Sequence, residues 1–274
     1  MSALDELIKV RGRQDPDPGE LFISGTDPVL DSRFKLGEVA AAAHAVVGVA
    51  VNDIWELKTS RRQKIQISVR SAAASLKSSK FIATRQTNGE FLKLVDKDHE
   101  FNRQLNGIYL TRDGRWALPH FGLNHLRDRM LGLLEASPDQ LSISKAVSKW
   151  DAIDLENAIA EMSLCGGMIR TNSEWIAEPH GKILSEKPVV EIIKIGPSDP
   201  EPIPSGSRPL SGVRVLDLTR ILAGPIAART LAEHGADVLM VTGENLPQVH
   251  AYVADTSHGK RSCFLDIKET EGAR

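Results

Sequence analysis

The segment TRILAGP (219–225) lies between an apolar run, VRVLDL, and a helical one, IAARTLAEHGAD, where an α/β protein places a ligand-binding turn. It lacks the G-x-G-x-x-G of dinucleotide sites and the lysine and hydroxyl of a P-loop, so neither chemistry is supported. A ligand can still bind in the crevice at the strand ends. Two carboxylates are tempting nucleophiles, Asp217 and Asp266. Asp217 falls inside a strand expected to be buried, and Asp266 heads a predicted helix start, where capping is the commoner role. Neither is taken as catalytic. His120 and His125 are five residues apart and share no helix face, so no metal site is expected. Cys165 and Cys263 have neither C-x-x-C spacing nor paired histidines; they argue against a zinc site or a disulfide framework and fit a reducing, cytoplasmic compartment. The basic stretch KTSRRQK (58–64) is short, lacks interleaved aromatics and reads as a solvated turn. With 34 Lys+Arg against 36 Asp+Glu the net charge is −2, which favours neither nucleic acid nor an anionic membrane.

The elements that must position these groups are legible from periodicity. Residues 1–34, rich in Asp, Pro and Gly, read as an irregular arm with no secretory signal. KLGEVAAAAHAVVGVAVNDIWEL (35–57) is helical, and its apolar stretch 39–51 is too short to span a bilayer. KIQISV alternates as a half-buried strand, followed by a helix to Phe81. A hairpin over 106–121 turns at Asp113-Gly114. Helices are expected at 123–136 and at 151–162, the latter capped by Asp151. CGGMIR turns into a short strand, Pro179 breaks a short helix, and PVVEIIKI (188–195) reads as a strand. Trp116, Trp150 and Trp175 are expected in the core or an interface of this part. The proline-rich stretch 196–212 reads as a linker and the domain boundary. Beyond it, VRVLDL (213–218) reads as a strand buried on both faces. Gly224 is expected to make a tight turn, Pro225 to take the first helical position, and Gly235 to end the helix in the left-handed region. VLMV and a short CFLDI supply further strands of a β-α-β unit.

These residues carry a resemblance. PLSGVRVLDLTRILAGPIAARTLAEHGADVLMV followed by HGKRSCFLDIKETEGAR is similar to the start of the family III CoA-transferases of the CaiB/BaiF type. ELKTSRRQKIQISVRSAAASL and the segments from TRDGRWALPH to AEPHGKIL resemble later parts of the same family. The family pieces therefore stand in permuted order, with 35–195 matching late segments and the small domain, and 213–274 matching the start of a second large domain. The resemblance implies an α/β fold, a Rossmann-like parallel-sheet segment preceded by a small α+β domain, and an interlocked homodimer or a partner chain completing the fold. It implies coenzyme A and acyl-CoA as substrates, with a carboxylic acid as acceptor and no permanently bound cofactor. In the family an aspartate attacks the thioester, giving an anhydride and then an aspartyl-CoA thioester. The segment bearing it matches nothing in this chain, so no catalytic residue is named and an incomplete unit is expected. Positions implied to contact CoA are Arg220, Ile221 and Leu222 before A-G-P, with Leu265 and Lys268 in L-D-x-K; a lysine there suits the phosphates. Departures are Thr242 and Gly243 for the usual acidic and following residues, and Ser60 and Arg62 where glycines are usual. Alternatives are an α-methylacyl-CoA racemase-like enzyme and a non-catalytic subunit or truncated product.

Overall fold

The computed structural model describes residues 2–244, 246–272 and 274. The first elements are α1 (Ala3–Lys9), β1 (Leu21–Ser24), α2 (Leu36–Thr59), β2 (Ile65–Ser68), α3 (Val69–Ser75), a 3-10 turn (Ser78–Phe81), β3 (Ala83–Arg85) and β4 (Phe91–Lys93). There follow α4 (Lys97–Leu105), β5 (Tyr109–Leu110), β6 (Trp116–Pro119), α5 (Asn124–Leu134), α6 (Gln140–Val147), α7 (Ala152–Glu161), β7 (Gly166–Met168), α8 (Asn172–Ala177) and α9 (Pro179–Ser185). The last are β8 (Arg214–Asp217), α10 (Ala223–Glu233), β9 (Asp237–Thr242), α11 (His250–Thr256) and β10 (Lys260–Phe264). Helices and parallel strands together make this a mixed α/β protein, as expected.

The chain separates into two compact units, 95–188 and a discontinuous one of 1–94 with 189–274. The grouping differs from a division at 196–212. Residues 35–94 join the C-terminal segment because α2 and the 3-10 turn supply contacts that it needs. Lys58 Nζ donates to the carbonyls of Arg208 (3.2 Å) and Ser211 (3.1 Å), and Ile54 packs on the core of Leu210, Ala228, Ala232 and Val238. Leu210 is therefore a core residue near the end of the proline-rich stretch, which is exposed from 196 to 208 and free of helix or strand throughout.

In the discontinuous unit the first 34 residues are more ordered than their composition suggests. Ser2 and Asp5 form a reciprocal cap on α1, and β1 pairs in parallel with β2, Leu21 opposite Ile65. Helix α2 is long and apolar enough to cross a membrane, and 44% of its apolar window is buried inside the protein. The buried stripe contains Ala40, Ala41, Ala42, Ala45 and Val49, small side chains that let α3 approach closely. Strands β10, β9 and β8 form a three-stranded parallel sheet in that order, and α10 covers one face. Gly235 ends α10 at φ +102 as expected, where a Cβ would lie 2.6 Å from that of Arg208.

Four expectations are corrected here. Strand β8 is not buried on both faces: Val215 and Asp217 face the core, but Leu216 is 61% exposed. With one helix layer the outer face stays open, and Arg214, Leu216, Asp237, Leu239 and Arg261 line a shallow groove across it. Residues 188–195 form no strand; Ile195 is 99% exposed, because no strand edge lies beside them. Pro225 is the third residue of α10 rather than the first, and Gly224 sits in its first turn. A Cβ on Gly224 would lie 2.4 Å from Cβ of Thr219, so glycine is needed for close approach and not for a turn. The third strand is Lys260–Phe264, three residues earlier than CFLDI suggests.

The unit 95–188 has its own core of Tyr109, Phe121, Met130, Ile143, Leu155 and Ile159, with further aliphatic residues around them. Strands β5, β6 and β7 form an antiparallel sheet over it, turning at Gly114 (φ +74) as the Asp-Gly pair predicts. Trp150 packs against this core, whereas Trp116 and Trp175 are 48% and 39% exposed. Asp151 stands at the N-cap of α7 without bonding its amides; the carboxylate is held by Arg112 at 2.7 Å instead.

Candidate functional site

Helix α10 crosses from β8 to β9, so the loop 218–222 and the segment after β9 come together at the C-terminal ends of the two strands. That is where open parallel sheets bind ligands. A cleft there is lined by Thr219, Arg220, Ile221, Pro225, Met240, Thr242, Pro247, Gln248, Val249, Val253 and Thr256. Of the five positions implied to touch CoA, Arg220 and Ile221 line it. Arg220 is exposed and its guanidinium donates to the carbonyl of Pro247. Ile221 adopts φ +69, a left-handed conformation unusual for a β-branched residue. Leu222 is the N-cap residue of α10 and does not line the cleft. Leu265 continues the ladder past β10, its amide donating to the carbonyl of Thr242 at 2.8 Å, which sets it next to the cleft wall. Lys268 lies in an exposed turn where its amide donates to Asp266 Oδ1 at 3.0 Å. Asp266 thus caps a turn and not a helix. The cleft is narrow: its interior of about 30 Å³ has room for about two waters, about a tenth of the smallest usual ligand site.

Beneath the cleft lies a buried ion pair. Lys260 Nζ donates to Asp217 Oδ2 at 2.8 Å and to the carbonyl of Pro225 at 2.9 Å, with both side chains fully buried. The hydroxyl and amide of Thr219 donate to the other carboxylate oxygen at 2.5 and 3.0 Å. Burial pushes the Asp217 carboxyl up, but Lys260 and Thr219 outweigh it and hold it below the usual range. A carboxylate so completely bonded is a structural counter-charge, not a free nucleophile. Lys260 was hidden in the basic run GKRS; strand alternation, which turns it inward and Arg261 outward to Asp237, is the signal that finds it.

The departures at 60–63 also resolve. Ser60 takes φ 56 at the end of α2, so a serine occupies the left-handed conformation that a glycine would favour. The Arg62 guanidinium bonds Glu20 twice (2.8 and 2.7 Å), Asp53 (3.1 Å) and Glu56 (2.7 Å). Arg11 also bonds Asp53, and the Asn52 amide bonds Glu20 at 2.8 Å. This cluster ties the start of β1 to α2 and is a structural feature that sequence reading missed. Among the described residues, no group of three or more His, Cys, Asp or Glu side chains could hold a metal ion.

Residues 210–274, which hold the cleft and the ion pair, match the model of CoA-transferase family III. An acyl-CoA transferase of Gibberella moniliformis is 28% identical over 286 aligned residues, covering 91% of this chain and 50% of that protein. Coverage of that extent takes in both sides of the stretch 196–212, so the two proteins share the order of these segments. A succinate–glutarate CoA-transferase of Agrobacterium fabrum is 40% identical over 90 residues, 26% of this chain and 22% of that one. The crystal structure of a CaiB/BaiF family protein from Brucella suis aligns with a TM-score of 0.40 at 16% identity, over 64% of this chain and 50% of that one. The chain spans about half the length of the fungal relative and less of the bacterial transferase. Over residues 210–274 the chain is similar to CoA-transferase family III.

Proposed function

We propose that this chain binds the nucleotide end of coenzyme A at the β8–β9 strand ends, within a protein that moves CoA from an acyl thioester to a carboxylic acid. The observation that carries the reading is the convergence of Arg220 and Ile221 on a cleft inside the family segment. The cationic groups Arg220 and Lys268 suit the phosphates of CoA, and the apolar walls suit its base. CoA is a substrate in this reading, not a resident group. We assign the nucleophile to no residue, since Asp217 is neutralised by Lys260. Calorimetric titration with CoA tests the proposal. Lys268→Ala is expected to weaken binding by about 1–2 kcal/mol, roughly tenfold, the scale of one charge-assisted contact. Equal affinity in the variant removes Lys268 from the site, and no binding by the native chain removes the reading.

The open outer face of the sheet supports a second part of the proposal, that two copies of the chain associate through it. Leu216 and Leu239, opposite each other on β8 and β9, are 61 and 39% exposed, an apolar surface of the kind that marks interfaces. Light scattering is expected to give a mass above that of one chain, and Leu216→Asp to shift it toward one. A native protein that stays monomeric at all concentrations is the opposing result.

A further inference from the structure

We infer that Gln248 is the residue that selects adenine at the strand-end cleft, an inference that rests on placing the nucleotide end of CoA there. The walls contributed by Ile221, Pro225, Met240 and Val249 are apolar and offer a base only contact area. Gln248 brings a carboxamide to this surface, and its Nε2 donates to Thr242 Oγ1 at 3.0 Å. A carboxamide presents a donor and an acceptor side by side. Adenine offers the complementary pair, the N6 amino donor beside the N7 acceptor, whereas guanine offers two acceptors on that edge and can use only one of the two amide groups. The Gln248–Thr242 bond joins two residues of the cleft lining. With it made, the interior of about 30 Å³ admits no purine. The base enters as Gln248 leaves Thr242, and one hydrogen bond inside the protein is exchanged for two to the ligand. Arg220, exposed beside the same cleft, is placed to take the phosphates.

The test titrates the full chain with ADP and with GDP, and separately with CoA. The native chain is expected to bind ADP about tenfold more tightly than GDP, the discrimination of one bidentate amide–adenine pair. Gln248→Ala should weaken ADP more than GDP, which loses at most one hydrogen bond, and bring the two to one level, a readout that a purely structural residue would not move. Gln248→Met keeps the length of the side chain but has neither amide group; it should lose the same preference and serves if the alanine variant does not fold. A native preference for ADP that survives both substitutions overturns the assignment of Gln248 while leaving the cleft as the CoA site. CoA binding without any preference between ADP and GDP also overturns it. Failure of the native chain to bind CoA overturns both readings together.

Discussion

Lys260→Met is expected to destabilise the protein by about 3–5 kcal/mol, because it strands a buried carboxylate without its counter-charge. Asp217 and Lys260 are both fully buried, and Thr219 alone cannot neutralise the charge. The pH dependence carries the sign of the effect. In the native protein the Asp217 carboxyl is held low, so its contribution is present above its unfolded value of about 3.9 and is lost as pH falls through the lower folded value. In the variant, burial dominates and raises the folded value above the unfolded one. The group then favours the folded state only while protonated, and that contribution disappears as pH rises past about 4. The gap between the two proteins should therefore widen from acid to neutral pH in urea unfolding. A gap of constant size would show that Asp217 is not the group left uncompensated. Pairing Lys260→Met with Asp217→Asn should recover much of the loss, since a neutral amide is far less costly to bury than a carboxylate.

Arg62→Met is expected to cost about 3 kcal/mol, the low end of the range for breaking a buried pair. The estimate is kept low because Arg11 still holds Asp53 and Asn52 still holds Glu20. Glu20 is held below the ordinary glutamate range, first by the Arg62 guanidinium and against the effect of burial. Its stabilising share is therefore present above the unfolded value of about 4.3 and vanishes as pH falls through the folded one. The variant should lose much of this acid-side slope in denaturant titrations. Arg62→Lys should rescue only partly, since an ammonium cannot reproduce the two parallel bonds to one carboxylate. Full rescue by lysine would mean that charge alone, and not the fork, holds the cluster.

Much of this architecture is legible in the sequence, and the failures have physical causes. The β8–α10–β9 unit shows because its apolar runs, helix periodicity and Gly235 all agree. Helix α2 shows for the same reason. The strand expected at 188–195 fails because apolar β-branched content marks what a strand edge would accept and not whether an edge is present. Strand β1 was missed because four residues between Pro- and Gly-rich stretches give no periodicity of their own; its partner β2 lies more than forty residues on. The site divides similarly. Arg220 and Ile221 adjoin a strand end that the sequence pattern marks, while Gln248 and Lys260 reach the same region from later segments. Their roles depend on which side of a strand or loop faces inward, which residue type alone does not specify.

The discontinuity of the larger unit has a kinetic consequence. Residues 95–188 are contiguous, so their core can assemble from local contacts while the rest of the chain is still being synthesised. The other unit cannot. The bond from Ser78 to Asp255 closes 177 residues of chain, and that from Lys58 to Ser211 closes 153. Until the last strands leave the ribosome, the alanine stripe of α2 can meet α3 but Ile54 has no core to join. During that interval Ile54 of α2 stays uncovered until the segment from Leu210 onward joins it.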